Sequence, residues 1–291
     1  MGMSGGAPVR LFARLQYATA RAAARHRMEG SGAPRVVVFT MGKSGSTAIA
    51  HALESRLGTR PFQVFRLEPG GLAAATARYR TRHPAGEGHG LRRRFPGALH
   101  LWESEFLQTH RPSADAPWVV CTTVREPVAQ AVSAYFHGAE HGHRVIDSDP
   151  LEVARAIVDD GWLRRSVRWF EREFVPALAI DVYATPFPHR QGWVVLTSPA
   201  ARVALVRQEN LDAAPLALQT LLDSADPVPV GAHNVGATKP YADAYTQFLD
   251  AACFPADALE WAYSSRYARH FYTAAERAAF LRRWSTPVDA R

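Results

Sequence analysis

The stretch from residue 35 to residue 57 constrains the fold more than any other part of the chain. It begins with the β-branched run RVVVFT (35–40), continues through MGKSGST (41–47) and ends in the apolar sequence AIAHALESRL (48–57). A continuous β-branched run is typical of a central parallel strand that is buried on both faces. A strand, a glycine-containing turn and a helix in this order predict an α/β fold.

Strand-like and helix-like segments then alternate along the chain. We predict further strands at 62–68, 118–124, 193–198 and 202–209, and 98–102 fits either a short strand or the start of a helix. The helical patterns lie at 71–80, 127–137, 150–175 and through most of the chain beyond 214, with a polar loop at 81–97. This alternation predicts a three-layer α/β/α sandwich with a mainly parallel central sheet and a largely helical C-terminal third. In such sheets, ligands bind beyond the carboxyl ends of the strands.

The loop GKSGST (42–47) has the composition of an anion-binding turn. Gly42 and Gly45 allow tight turns and a close approach of the backbone to a ligand. The free N–H groups and the dipole of the helix that follows favour an anion. The loop also supplies one ammonium group and three hydroxyl groups, from Lys43, Ser44, Ser46 and Thr47.

Two other interpretations of this loop are open. The nucleotide-triphosphatase motif GxxxxGK[ST] requires a first glycine at position 37, where the chain has Val37. The strand at 118–124 ends in Arg125 rather than in an aspartate suited to hold magnesium, so a kinase that uses ATP is the weaker enzymatic alternative. An ordinary turn between strand and helix is the other alternative, but such a turn needs neither a lysine nor three hydroxyls.

A second motif, VVCTTVREPVAQAVSAYF (119–136), also predicts a phosphate site. Arg125 stands just beyond a predicted strand, and Pro127 suits the first position of a helix because its missing N–H costs nothing there. An arginine at a strand end can bind phosphate with two parallel hydrogen bonds. Ser133 follows two turns into the helix, where it can face the same anion.

Together the two motifs resemble the PAPS-dependent sulfotransferase superfamily. The pattern of Arg125, Pro127 and Ser133 resembles its 3′-phosphate site, and GKSGST resembles its 5′-phosphosulfate loop, about 80 residues earlier. The chain is also similar to bacterial sulfotransferase-like proteins assigned to capsular polysaccharide synthesis. The segments that carry this second similarity are TTVREPVAQAVSAYF, WFEREF (169–174), RQENL (207–211) and KPYADAY (239–245). The resemblance covers residues 35–290 and implies a P-loop-NTPase-like sandwich.

The resemblance implies an enzyme that moves a sulfuryl group from 3′-phosphoadenosine-5′-phosphosulfate (PAPS) to a hydroxyl or amine. The product of the donor is adenosine 3′,5′-bisphosphate (PAP), and no metal is required. Residues 42–47, including Ser46 and Thr47, would hold the 5′-phosphosulfate, and Lys43 would contact the 5′-phosphate and the sulfuryl group. A later loop, GAHNVGATKPY (231–241), is the best match to the family's cover over the 3′-phosphate, with Lys239 as its cation. It departs from the family's Arg-Lys-Gly form.

An acceptor hydroxyl needs a general base, usually histidine or glutamate. His100 is the first candidate, because we predict it near the end of a short strand, and cytosolic family members place a catalytic histidine at a similar offset. A structural histidine bonded to backbone is the alternative. Glu68 is second, since some carbohydrate sulfotransferases use a glutamate after the second strand, although a solvated turn residue fits equally. Glu103 is third. The histidines of FHGAEHGH predict an acceptor-site rim or a solvated loop: His137, His141 and His143.

The net charge of +7 favours anionic partners, but it does not choose among them. The arginines are spread along the chain without a basic stripe, so we expect no nucleic-acid partner. The two cysteines, Cys121 and Cys253, are too few for a disulfide framework. With no apolar run of about 18 residues and no signal-peptide core, we expect a cytoplasmic protein. The resemblance implies a glycan or small-molecule acceptor.

Two regions make up the predicted domain organisation. Residues 1–34 form a basic arm with an amphipathic helix at 9–27, and residues 35–291 form the sulfotransferase domain. The narrow, alanine-rich apolar face favours a helix packed on the domain or a mobile arm, with contact to an anionic membrane as the alternative. A non-catalytic phosphate-binding protein of a polysaccharide pathway is the non-enzyme alternative. The intact Lys43, Arg125 and Ser133 weigh against it.

Overall fold

A computed structural model describes residues 35–82, 91–140, 149–231 and 241–285. In it, one five-stranded sheet has the order β2-β1-β3-β5-β4. The strands are β1 (Arg35–Phe39), β2 (Phe62–Val64), β3 (Trp118–Val124), β4 (Trp193–Thr197) and β5 (Ala201–Arg207). All neighbouring pairs are parallel except β4 and β5, which form an antiparallel hairpin at one edge. The predicted mainly parallel sheet is confirmed.

Helices connect and cover these strands, and they dominate the chain after β5. The helices before β4 are α1 (Ser46–Leu57), α2 (Pro69–Arg82), α3 (Leu91–Thr109), α4 (Pro127–Glu140), α5 (Pro150–Asp159), α6 (Trp162–Val167), a π-helix (Phe170–Phe174) and α7 (Val175–Leu178). After β5 come a 3₁₀ helix (Gln208–Ala213), α8 (Ala214–Leu222), α9 (Ala242–Ala251), α10 (Ala256–Ser264), α11 (Arg266–Phe271) and α12 (Ala274–Ser285). The predicted helical C-terminal third is therefore confirmed.

The two faces of the sheet are covered by separate apolar clusters. Along β1, Phe39 joins a cluster that includes Phe174 of the π-helix, whereas Val38 joins a cluster with Ile49 of α1 and Leu218 of α8. The alternation follows from the period of two in a strand. Both faces of the sheet are buried under packed helices, which explains why these strands are continuous apolar runs. This arrangement confirms the three-layer α/β/α sandwich.

The parallel register places the carboxyl ends of four strands, β1, β2, β3 and β5, along one edge of the sheet, where the strands end. Val37 pairs with Phe62 on β2, and Val38 pairs with Cys121 on β3. The segments that leave β1, β2 and β3 therefore start side by side. This edge contains both predicted phosphate motifs.

One predicted element is wrong in type. Residues 98–102 lie inside α3, so His100 is helical and not at a strand end. The helix forms because Leu99, Trp102 and Leu107 recur at helical spacing and are buried, on a helix that packs against β2. The described parts of the predicted loop at 81–97 are helical, since α2 continues to Arg82 and α3 begins at Leu91.

Several predicted features lie outside the described residues. They are the arm at 1–34 with its helix at 9–27, the histidines His141 and His143, and Lys239 with most of its loop. None of the helices within the described ranges is both long enough and apolar enough to cross a membrane.

Candidate functional site

The first phosphate motif forms a tight turn between β1 and α1. Lys43 has φ 69° and Gly45 has φ 91°, so both lie in the left-handed region. Glycine adopts this region freely, but a lysine does so only when its surroundings impose it. Gly45 is the N-cap of α1 and offers no side chain to the first N–H groups of the helix. These N–H groups sit at the positive end of the helix, which suits an anion.

Three side-chain hydroxyls on the sheet side of the turn form a hydrogen-bonded cluster that anchors the turn. The Ser44 Oγ lies 2.8 Å from the Thr40 Oγ1 and 2.7 Å from the Thr123 Oγ1, and these two threonine oxygens are 2.7 Å apart. All three residues are fully buried. The expectation that the Ser44 hydroxyl faces an anion is therefore corrected. The left-handed Lys43 turns Ser44 inward, where it fastens the loop to β3.

The second phosphate motif contacts this turn directly. The Arg125 guanidinium donates from Nη1 to the Lys43 carbonyl over 3.0 Å, and Gln130 Nε2 on α4 donates to the Gly42 carbonyl over 2.7 Å. The two predicted phosphate motifs therefore lie in direct contact at one edge of the sheet. Ser133 is half-buried and lies three residues after Gln130, which places it on the same side of α4.

The main chain of Arg125 is held by a tyrosine. The Tyr267 hydroxyl accepts from the Arg125 N–H over 3.1 Å and donates to the Arg125 carbonyl over 2.8 Å. Tyr267 is fully buried, and burial raises its pKa well above the ordinary value, so the hydroxyl stays neutral. Arg125 therefore leaves β3 in a fixed direction.

Sequence reasoning missed the role of Glu126, the residue between Arg125 and Pro127. Its buried carboxylate caps α4 by accepting from the N–H groups of Val128 (2.8 Å) and Ala129 (2.7 Å). It also accepts from the Tyr263 hydroxyl and from the Trp284 indole. An acidic residue directly before a proline at a helix start was the available signal. Glu126 ties the second motif to the C-terminal helices.

A second carboxylate, that of Glu209 in RQENL, also supports the second motif. It accepts from the Glu126 N–H over 2.6 Å and from the Tyr272 hydroxyl over 3.1 Å. Desolvation of the carboxylate raises the pKa of Glu209, although the hydrogen bond from the Glu126 N–H opposes that change. The neighbouring Arg207 pairs with Glu276 over 2.8 Å and so joins the end of β5 to α12.

His100 reaches the same edge from α3. Its Nδ1 lies 2.5 Å from the Gln63 carbonyl, and its ring packs on Phe65 with centroids 4.7 Å apart. A carbonyl only accepts, so Nδ1 carries the proton and Nε2 is the unprotonated nitrogen of the neutral ring. Burial lowers the pKa of His100 below its ordinary value, although the hydrogen bond to Gln63 opposes this change. The Gln63 amide donates to the Ser46 Oγ over 3.1 Å, which links this corner to the start of α1.

The two glutamates predicted as alternative bases, Glu68 and Glu103, both accept hydrogen bonds from backbone N–H groups. Glu68 accepts from the N–H groups of Gly70 (2.9 Å) and Gly71 (2.5 Å) and so caps α2. These two hydrogen bonds lower the pKa of Glu68, which makes it a poorer base. Glu103 is fully buried and accepts from the Gln63 N–H over 3.1 Å. The geometry therefore favours His100 over both.

A carboxylate that sequence reasoning did not select lies on the π-helix. Glu173 is buried and accepts from the N–H groups of Leu67 (2.9 Å) and Glu68 (3.0 Å). Burial raises the pKa of Glu173, against the opposing effect of these bonds and of Arg66. Four residues earlier, the Trp169 indole donates to the Phe65 carbonyl over 3.0 Å. The WFEREF segment thus holds the connection between β2 and α2, and a π-helix often marks such a place.

Comparison with known proteins adds little to this geometry. No protein-family model matches the chain, and no curated protein matches it. Among solved structures, a sulfotransferase from Alicyclobacillus acidocaldarius aligns with 12% identity and a TM-score of 0.35, over 85% of this chain and 100% of that one. A likeness at this level assigns no function, so the assignment rests on the site itself.

A groove lies between α2 and α3. Its volume is about 320 Å³, and its lining includes Pro69, Leu72, Thr76 and Gln108. The groove begins where the β2–α2 connection ends. Within the described ranges, no three His, Cys, Asp or Glu side chains come together as a metal site.

Proposed function

We propose that this chain is a sulfotransferase that transfers a sulfuryl group from PAPS to a hydroxyl or amine of a carbohydrate or small-molecule acceptor. The observation that supports this most is the hydrogen bond from Arg125 to the Lys43 carbonyl. It joins a left-handed turn at a helix start to a strand-end arginine, and each suits a phosphate group. A donor with phosphates at both its 5′ and 3′ positions uses both at once.

The proposed roles follow from this arrangement. The N–H groups at the start of α1, with Ser46 and Thr47, hold the 5′-phosphosulfate, and Lys43 neutralises charge on the bridging oxygen as it develops. Arg125 and Ser133 bind the 3′-phosphate. Sulfuryl transfer resembles phosphoryl transfer in that positioning and electrostatics supply most of the catalysis.

His100 is the proposed general base. As the acceptor oxygen bonds to sulfur, its proton moves to Nε2 of His100, while the bond from sulfur to the 5′-phosphate oxygen breaks and PAP leaves. The lowered pKa of His100 keeps the ring neutral and ready to accept a proton at neutral pH. The groove between α2 and α3 is the proposed approach for the acceptor. A glycan is the first acceptor class to test, given the resemblance to capsular polysaccharide proteins.

The kinase alternative is disfavoured by the position of the loop. In the nucleotide-triphosphatase motif, the residues between the first glycine and the lysine form the phosphate cradle. Here the matching positions begin at Val37, which lies inside β1 and is fully buried. The turn between β1 and α1 is therefore shorter than the phosphate cradle of that motif. Lys43 also precedes the helix instead of opening it.

Thermal melting with PAP tests the proposal. A ligand at about 100 times its dissociation constant adds roughly 2.7 kcal/mol to the free energy of unfolding, so PAP should raise the melting temperature clearly. Magnesium-ATP is the matched comparison. A large shift with magnesium-ATP and none with PAP would replace the proposal by the kinase alternative. Binding of PAP without any sulfate transfer to sugars, phenols or lipids would favour a non-catalytic phosphate-binding protein.

A further inference from the structure

Two consecutive carbonyls of the phosphate turn are held by side chains of the second motif. The Gly42 carbonyl accepts from Gln130 Nε2, and the Lys43 carbonyl accepts from Arg125 Nη1. A peptide unit is planar, so the direction of a carbonyl fixes the opposite direction for the N–H of the next residue. These two bonds therefore set where the N–H groups of Lys43 and Ser44 point.

Gln130 itself is held in one orientation. It is 7% exposed, and its Oε1 accepts from the hydroxyl of Ser166, a buried residue of α6. The Gly42 carbonyl can only accept a hydrogen bond, so the amide nitrogen of Gln130 must face the loop and the amide oxygen must face Ser166. A chain of bonds thus runs from α6 through α4 to the turn.

The turn needs such support because of its backbone conformation. Lys43 lies in the left-handed region with φ 69°, which a residue with a Cβ occupies only at a cost in free energy. Without the two carbonyl bonds, the Gly42–Lys43 peptide would be free to rotate away from that conformation. The N–H groups of Lys43 and Ser44, which belong to the loop proposed to hold the 5′-phosphosulfate, would then lose their direction.

We propose that Gln130 is a positioning residue that holds the phosphate turn in its anion-binding form through the Gly42 carbonyl. The role rests on the proposed function, because the anion concerned is the 5′-phosphate of the donor. Gln130 acts on the loop backbone and not on the donor, so its loss should lower affinity for PAP before it alters the chemistry.

The variant Gln130→Glu tests this role, because its affinity for PAP should depend on pH. At neutral pH its carboxylate cannot donate to the Gly42 carbonyl, and we expect affinity for PAP to fall about ten- to hundredfold. Burial raises the pKa of a carboxyl group in such a place. As pH drops from about 8 to about 5.5, the protonated acid regains a donor for Gly42, and the affinity ratio to wild type should recover. The variant Gln130→Ala should lose affinity without this recovery.

Titration calorimetry with PAP supplies the measurement, and each affinity is compared with wild type at the same pH because the PAP phosphates also titrate. Gln219→Glu is the matched control, since the Gln219 amide also donates to a backbone carbonyl, that of Ala225, at the end of α8. We expect it to bind PAP as wild type does at every pH.

The outcomes separate the two levels of the proposal. A wild-type chain that does not bind PAP overturns the proposed function. Wild-type binding together with an unaffected Gln130→Glu variant, or a loss without recovery at low pH, overturns only the positioning role. If Gln130→Glu fails to fold, Ser166→Ala decides the matter. That variant leaves the Gln130 amide without its second anchor and should weaken PAP binding several-fold, and unchanged affinity overturns the role.

Discussion

Lys43 combines a charge that the proposed reaction needs with a backbone conformation that a lysine rarely adopts. Its carbonyl is bonded to Arg125, and the hydroxyl of the next residue is buried against Thr40 and Thr123. The surrounding bonds impose the left-handed conformation. Strain of this kind is found where a backbone must present its N–H groups to a ligand.

Two substitutions of Lys43 separate its charge from its conformation. Lys43→Ala removes the ammonium and keeps a Cβ at φ 69°, whereas Lys43→Gly removes both. We expect the glycine variant to be more stable than the alanine variant by about 1 kcal/mol. Both should lose turnover more than PAP affinity, because the charge acts mainly on the leaving oxygen.

Chemical unfolding and steady-state kinetics on the two Lys43 variants check this. Equal stability would show that the turn is unstrained. Turnover close to wild type in either variant would remove Lys43 from the chemistry.

Asparagine is the matched substitution for testing His100. In His100→Asn, the side-chain amide can still donate to the Gln63 carbonyl in place of Nδ1, but nothing replaces Nε2. Turnover should fall by about 10²–10⁴ with little change in PAP binding. Because protonated histidine cannot accept a proton and the pKa is lowered, the wild-type rate should decline only below pH 6.5.

A pH–rate profile of both proteins tests His100 as the base. The asparagine variant should lack the acid limb. If it retains near-normal turnover while Glu68→Gln is inactive and still binds PAP, the base is Glu68 instead.

At the scale of elements, the π-helix and the β2–α2 connection behave as one unit. Glu173 accepts two backbone N–H groups of the connection through one oxygen, Oε2. A glutamine at this position can keep both bonds through its amide oxygen, whereas an alanine leaves two N–H groups without them. We expect Glu173→Ala to lower the free energy of unfolding by about 2–4 kcal/mol, whereas Glu173→Gln, which keeps both bonds without a buried charge, should raise it slightly at neutral pH.

A comparison of wild type with Glu173→Gln also tests the raised pKa of Glu173. Its folded-state pKa lies above the ordinary 4.5, so folding favours the protonated form. This contribution is fully present below about pH 4.5 and is lost as pH rises through the raised pKa. Unfolding free energies of Glu173→Gln should lack this loss. A wild-type profile that matches the glutamine variant at every pH would contradict the raised pKa.

Elements with a strong local pattern were predictable from sequence, and those decided by tertiary contacts were not. The runs at β1 and β3 are apolar without interruption, so burial on both faces could be inferred directly. The run around His100 fits a strand or a helix, and the packing of Leu99 and Trp102 decides for a helix. At the site, glycines and charges were enough to predict that the segments with Lys43 and Arg125 are phosphate motifs at strand ends.

The side-chain partners at the site were not predictable in the same way. The inward turn of Ser44 depends on a left-handed residue before it. The capping role of Glu68 depends on where α2 begins, and the bond of Gln130 to the Gly42 carbonyl joins residues far apart in sequence. Each of these contacts depends on the folded backbone, and no local sequence pattern predicts it.

At the scale of the whole molecule, the order β2-β1-β3-β5-β4 has a consequence for biosynthesis. During translation, β1 leaves the ribosome as a valine-rich segment, and its neighbour β3 is made only after α1, β2, α2 and α3. Until Trp118–Val124 appears, one edge of β1 has no partner and is open to wrong pairing. The Gly42–Lys43 turn cannot be fastened earlier, because Arg125 and Gln130 follow β3. A nascent chain stalled before residue 118 should therefore bind chaperones and no nucleotide.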